Sequence, residues 1–271
     1  MIRPWQNSDL NAICRLWQTC FGDDAAFVLD FIRYFSPYGL VYDEHGTPVA
    51  QLFLLPVECF TQNRWQHVWY VYACATNPAY RRRGLMRALL NAAYTQMADY
   101  NVVGLVLVPA SNHLFDYYAQ CDFQLFSVMQ TDTFTSRPCN EIEFTNLTIH
   151  QIEELRNHFY GNSCIRLSTT YLQFAIQMAQ VENGGLITFV LDGCKGYALC
   201  RATENGIQVE EWVCTASNAI QRIADLCGTY FNVPVVQVCS AAHHDTPTAR
   251  PFAMIRGLHA DPTSYFNLAL D

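Results

Sequence analysis

Charge is scarce in this sequence of 271 residues, and positive charge is scarcer still. Charged residues make up 15%, and 16 Lys and Arg stand against 24 Asp and Glu, a net charge of −8. A chain with a pI near 5.4 has no general surface for tracking phosphates, which excludes nonspecific nucleic-acid binding. No apolar run approaches the ~18 residues a membrane helix needs, so no span is expected. The opening Met1-Ile2-Arg3-Pro4-Trp5-Gln6 turns polar at once, unlike a secretion signal, and a cytoplasmic protein is expected. Twelve cysteines are present, yet no C-x-x-C pair occurs. Cys14, Cys74, Cys200, Cys214 and Cys239 sit inside apolar stretches and read as small buried hydrophobes. A zinc site from Cys239, His243 and His244 lacks the paired spacing such sites show, so no metal is expected. Gly-x-Ser-x-Gly is missing, which disfavours a hydrolase elbow. Gly-x-Gly-x-x-Gly is missing too, which disfavours a Rossmann domain.

What is present is a pattern that occurs twice. Half of the residues, 51%, are hydrophobic, enough to bury two cores. Asn7-Ser8-Asp9 are good capping residues before Leu10, Ile13, Leu16 and Trp17 at helical spacing. A second helix follows Asp23-Asp24. Short strands are predicted over 40–42, 49–60 and 68–76, a helix from Gly84 to residue 99, and a buried strand over 102–108. A short helix over 111–120 and a strand over 123–133 close the first half. The second half reads helix 148–159, helix 169–181, strands 186–191, 197–202 and 209–214, helix 218–231 and strand 233–239. The repeated order implies two domains, 1–136 and 137–271.

Within this acidic chain, Arg81, Arg82, Arg83 and Arg87 gather a quarter of the positive charge into seven residues. They lie between a strand ending near Pro78 and a helix starting near Gly84. Free amides at a helix start, together with its dipole, make a seat for a pyrophosphate. A glycine there admits close approach of the backbone. A solvated basic turn is the plain alternative for the same residues. The second half enters its helix through Thr215-Ala216-Ser217-Asn218, with neither basic turn nor glycine, so a second such seat is not expected.

The pattern Arg81-x-x-Gly84-x-Met86, after a strand ending Thr76-x-Pro78, resembles the Arg/Gln-x-x-Gly-x-Gly/Ala loop of the GCN5-related N-acetyltransferase family. Thr76 stands where that family usually has Val, and Met86 replaces its second small residue. Asn112 followed by Tyr118-Ala119-Gln120-Cys121-Asp122-Phe123 is similar to the family's Asn…Tyr-x-x-x-Gly-Phe segment. Asp122 takes the Gly position, a turn that Asp also adopts. The triple arginine, Gly-Leu-Met and the two-part length look more specifically like the enhanced-intracellular-survival type, which has tandem lobes. The resemblance rests on motifs over residues 1 to about 135 and on element order beyond.

It implies an α+β fold of two tandem lobes, each a mixed, mostly antiparallel sheet flanked by helices, the second lobe degenerate. It also implies acetyl-coenzyme A as cofactor. Arg81, Arg82, Arg83, Gly84, Leu85 and Met86 would hold the pyrophosphate. Cys74, Ala75 and Thr76, with Asn112, would receive the pantetheine and thioester. Tyr118 would protonate the leaving thiolate as a primary amine attacks directly. Tyr70 stands where some members carry a glutamate base, which leaves Glu58, or His67, as the substitute. In the tandem type the terminal carboxylate reaches the site, here Asp271, at the end of an apolar tail able to dock. Glu210 and Glu211 suit a cationic acceptor or read as a strand's wet face, and Asp261 has no firmer basis for such a role. A non-catalytic acyl-coenzyme A sensor, or a transferase of another acyl or aminoacyl group, fits the same cradle.

Overall fold

The computed structural model describes residues 1–139, 143–243, 245–258 and 265–267. They divide into two compact units. The first comprises residues 1–124 together with 253–258, the second residues 125–252 together with the tail 265–267.

The first unit opens with strand β1 (Ile2–Pro4), then helices α1 (Leu10–Phe21) and α2 (Ala25–Phe35). Asp24 caps α2, its side chain accepting from Phe27 N at 2.9 Å. Asp9 has another task. Its carboxylate takes both Arg3 guanidinium nitrogens at 2.7 and 2.9 Å, and Asp43 shares the same arginine at 2.6 Å. Strands β2 (Tyr38–Glu44), β3 (Thr47–Thr61) and β4 (Arg64–Thr76) form an antiparallel meander. Helix α3 (Leu85–Gln96) leads to strand β5 (Leu105–Leu107) and helix α4 (Asn112–Ala119). The apolar run expected as a strand over 102–108 is thus a strand for three residues only.

One sheet face carries Phe53 and Tyr72 against Trp17 and Phe31, with ring centroids 5.1–5.8 Å apart. The other carries Leu52, Leu54 and Val71 against Leu89, Leu90 and Ala93 of α3, with Tyr118 of α4 in the same cluster. Spacing of four residues from Leu85 through Leu89 to Ala93 puts one side of α3 onto the sheet.

Strand β6 (Gln124–Thr135) belongs to the second unit. Strand β7 (Glu143–Phe144), helices α5 (Ile149–Tyr160) and α6 (Thr169–Val181), strands β8 (Gly185–Leu191), β9 (Cys194–Thr203) and β10 (Gly206–Val213), helix α7 (Ala219–Phe231) and strand β11 (Val235–Ala241) follow it. The sheet order there is β6-β11-β10-β9-β8-β7. Strand β12 (Arg250–Arg256) brings Met254, Ile255 and Arg256 beside Leu107, Val106 and Leu105 of β5, in the first unit.

Each unit's sheet therefore uses a strand from the other half of the sequence, whereas the repeat in the sequence suggests a break near 136. Strand β6 pairs with β11 from Thr135↔Val235 to Met129↔Ala241. Nothing local in a strand's alternation names its partner, which is why the exchange is not visible in the sequence.

Candidate active site

The site builds from an irregularity in β4. Phe53 pairs with Tyr72, but Gln51 pairs with Ala75, so Leu52 opposes both Ala73 and Cys74. Ala73 takes the extra residue in a left-handed conformation, φ +50°, which an L side chain adopts at a cost of about 1–2 kcal/mol. Beside it β5 runs parallel for two pairs, Trp69↔Leu105 and Tyr70↔Val106. Past Tyr70 the two strands no longer pair, and Cys74, Ala75 and Thr76 lie on this free stretch.

The chain then turns through Asn77, whose side chain accepts from Ala79 N at 3.0 Å, and a short 3-10 turn Pro78–Tyr80. Arg82 and Gly84 both have positive φ, +64° and +74°. The first bond of α3 is Ala88 N to Gly84 O at 3.0 Å. The amides of Leu85, Met86 and Arg87 therefore precede the helix ladder and remain available as donors. Alternating left-handed residues ahead of a helix dipole make an anion nest. No atom lies within 4 Å of a Cβ built on Gly84. Glycine is required here by φ, and the space on that side is open to a phosphate.

The arginines divide their work. Arg81 Nε donates to Thr76 O at 3.1 Å, and Arg81 Nη2 lies 3.8 Å from Cys20 Sγ on α1. This side chain ties the loop to the end of β4. Arg83 donates to Ala79 O at 3.4 Å and lies over the Tyr80 ring at 4.8 Å. Arg82 and Arg87 are exposed. Leu85 is buried and Met86 half-buried, both in the core beneath the loop. Met86 thus turns inward, and its backbone amide stays on the open side.

Tyr118 reaches the same sheet face from α4. Its helix α4 begins at Asn112, which is exposed. The following turn keeps Tyr118 in place: Cys121 N and Phe123 N both donate to Tyr118 O, at 2.9 and 3.1 Å. Asp122 sits in that turn at φ +65°, and its carboxylate lies 3.3 Å from Arg256. Asp here fills the left-handed position that glycine normally takes.

The Tyr118 ring packs edge-on to Tyr117 and Phe123, at 5.3 and 5.8 Å. Only 7% of Tyr118 is exposed, and Cys74 packs against the same cluster, near enough for each group to act on the other's titration. Burial, then Cys74, holds the Tyr118 pKa well above the ordinary phenol value. Burial pushes the Cys74 thiol up to about 12, with Tyr118 opposing it. Tyr117 is raised for the same reason, with Arg87 pulling against it.

The structure thus brings Tyr118 to Cys74, on the stretch of β4 that leads into the arginine loop. It does not bring Glu58 there. Glu58 pairs across β3 and β4 with His67, Oε1 to Nδ1 3.6 Å, side chains 38% and 65% exposed. His67 precedes Cys74 by seven residues, about 23 Å of strand. Glu210 and Glu211 form no wet face either. Glu211 is fully buried against Arg156, and Glu210 pairs with Arg201 at 2.8 Å.

His244, Asp261 and Asp271 lie outside the described residues. Among the described residues no group of three or more His, Cys, Asp or Glu is placed to hold a metal, and Cys239 is buried with its thiol 3.5 Å from the Thr131 hydroxyl. The bulge at Ala73 and the brace from Arg81 to Cys20 carry no signal in the sequence, since one is a local register slip and the other joins residues 61 apart.

An acetyltransferase (GNAT) domain model matches residues 1–126. No curated protein matches the chain. In fold the chain is similar to a probable N-acyltransferase of Enterococcus faecalis, with TM-score 0.74 and 14% identity over 94% of this chain and 71% of that one. It is similar to Eis1 of Mycobacterium abscessus, with TM-score 0.66 and 11% identity over 94% and 73%. It also matches a tandem GNAT protein of the clavulanic acid biosynthesis pathway, with TM-score 0.59 and 13% identity over 96% and 99%. Identities this low establish a shared fold, and the last likeness runs through both units. Residues 1–126 are thus similar in sequence to a GNAT acetyltransferase domain, and the whole chain is similar in fold to tandem proteins of that kind.

Proposed function

We propose that this chain moves an acetyl group from acetyl-coenzyme A to a primary amine, and that the reaction takes place in the first unit. One observation carries the reading: Tyr118 and Cys74 pack together where β4 has lost its β5 partner and runs into the arginine nest. The residues suit the coenzyme. Open amides of Leu85 and Met86 beside Gly84 fit a pyrophosphate, with Arg82 and Arg83 adding charge. The unpaired edge at Cys74, Ala75 and Thr76 offers backbone groups to a pantetheine amide, and Asn112 stands at the start of the facing helix. When bound, the coenzyme supplies an activated acyl thioester.

The chain's part is to position and to handle protons. The amine nitrogen forms the new C–N bond, the C–S bond breaks, and the sulfur leaves with the electron pair. Tyr118 is the proton donor to that sulfur, and the proton that the nitrogen sheds as the amide forms restores the phenol through solvent. A phenol near pKa ~10 giving its proton to a thiolate near ~8.5 runs uphill by about 2 kcal/mol. Burial steepens this, so a strong hydrogen bond to the departing sulfur is the larger part of its contribution. An alkyl ammonium of pKa ~10.4 must first lose a proton, which costs about 4.6 kcal/mol at pH 7. With Glu58 distant, that proton goes to solvent. The net charge of −8 favours a cationic acceptor.

Tyr118→Phe tests the assignment. Turnover in a coenzyme-release assay over an amine panel should fall by about 10²-fold, while acetyl-coenzyme A affinity holds. Unchanged turnover removes Tyr118 from the mechanism.

A further inference from the structure

Strand β10 in the second unit repeats the layout of β4. A register slip separates Val209 from Glu211 opposite β9, and the parallel pairing with β11 ends at Val209↔Val238. In the first unit the corresponding stretch leads to the nest. Here it is closed from within by the chain's own tail. Tyr265 forms a parallel bridge with Cys164, its amide donating to Ser163 O at 2.5 Å and its carbonyl accepting from Ile165 N at 2.9 Å. Phe266 is fully buried, and Tyr265 and Asn267 are nearly so.

The groove under that tail is built for it. Arg156 and Glu211 are 1% and 0% exposed and pair at 3.0 Å. Arg156 also donates to Ile165 O at 2.7 Å, which fixes the extended segment that the tail joins. Tyr197 donates to one Glu211 oxygen at 2.7 Å, and Tyr265 reaches the other at 3.4 Å. The Tyr265 ring stacks on Tyr160 at 4.1 Å. Asn267 Nδ2 donates to the Tyr265 hydroxyl at 2.9 Å and to Glu210 O. Tyr160 donates to Trp212 O at 2.9 Å. Both of these carbonyls lie on β10 past its last pair with β11. A buried ion pair of this kind is tolerable only when its remaining hydrogen-bonding capacity is met, and the tail meets part of it.

We propose that the second unit contains a peptide-binding groove, specific for an extended Tyr-Phe-Asn segment, which the chain's own residues 265–267 fill in cis. Backbone pairing at 163–165 supplies strand-like affinity, Tyr160 and Glu211 read the tyrosine, and the Glu210 carbonyl reads the asparagine. The groove is separate from the proposed acetyl transfer and stands whether or not that reading does.

The test uses the full chain carrying Tyr265→Ala, Phe266→Ala and Asn267→Ala, with a labelled synthetic peptide of residues 264–271. The peptide should bind the triple variant and not the unsubstituted chain, whose groove is filled. It should also restore the variant's lowered unfolding midpoint. Tyr265→Phe alone should lower the midpoint by about 2–4 °C and speed amide exchange at 163–165. If the triple variant does not fold, this single variant carries the test. A triple variant with an unchanged midpoint, a folded one that ignores the peptide, or unaltered exchange in Tyr265→Phe each overturns the proposal.

Discussion

At the scale of single residues, the proposed chemistry turns on two raised pKa values. A raised folded pKa keeps the proton on through higher pH, so Tyr118 remains a donor across the whole neutral and mildly alkaline range. The pH profile of kcat/KM should therefore climb as the amine acceptor deprotonates, with no descending limb below pH ~10. A fall near pH 8 would mean that another acid donates. Cys74, pushed up to about 12, is a thiol and not a thiolate at neutral pH, and so a poor nucleophile. Intact-mass measurement of the protein with acetyl-coenzyme A and no amine should show no added acetyl group; acetylated Cys74 would contradict direct transfer. Both residues belong to a motif legible in the sequence, but their contact does not. It needs the slip at Ala73, and a left-handed alanine in a strand leaves no mark in composition or alternation.

Elements were more legible than their partners. The helices α1 to α7 follow from apolar spacing and from caps such as Asp24, and β2, β3, β4 and β8 to β10 from short apolar runs between turn residues. Strands β1, β7 and β12 escaped, the first two because three residues or fewer carry too little pattern to stand out. The first of these carries an ionic clasp. Arg3 on β1 joins Asp9 and Asp43 at 2.7 and 2.6 Å, and Arg3 holds the Asp9 carboxyl below its usual pKa.

A depressed carboxylate pKa means stability that is present above the unfolded value near ~3.9 and lost as pH falls through the folded one. Arg3→Ala should thus cost about 1–2 kcal/mol in denaturant unfolding at pH 7. The difference from the unsubstituted chain should shrink as pH drops below ~4. A penalty that is the same at pH 7 and at pH 3 would show that packing of the Arg3 stem, and not the ion pair, is what stabilises β1. Glu211 gives the opposite lesson in legibility. Alternating charge on a strand suggests a wet face, yet Arg156, Tyr197 and Tyr265 meet Glu211 in the interior, where it is fully buried.

At the scale of the whole molecule, the repeat of element order and the match of fold to tandem relatives agree on two units. The sequence halves are nevertheless not the structural units. β12 completes the first sheet beside β5, and β6 lies beside β11 in the second. Residues 1–136 expressed alone should lack a cooperative unfolding transition, because β5 loses its antiparallel neighbour and β6 has no β11 to pair with. Co-expression with residues 137–271 should recover a folded complex. A fragment 1–136 that unfolds cooperatively and binds acetyl-coenzyme A would refute the dependence on the exchanged strand.

The central claim is that one coenzyme site exists per chain, at the nest before α3. The second unit keeps a left-handed residue ahead of its helix, Asn218 at φ +51°, but has no arginines there. Calorimetric titration of acetyl-coenzyme A into the full chain and into Gly84→Glu decides the matter. The account predicts one site per chain in the first, and none in the second, where a carboxylate and a strained backbone replace an open anion seat. Equal binding by the Gly84→Glu chain would contradict it.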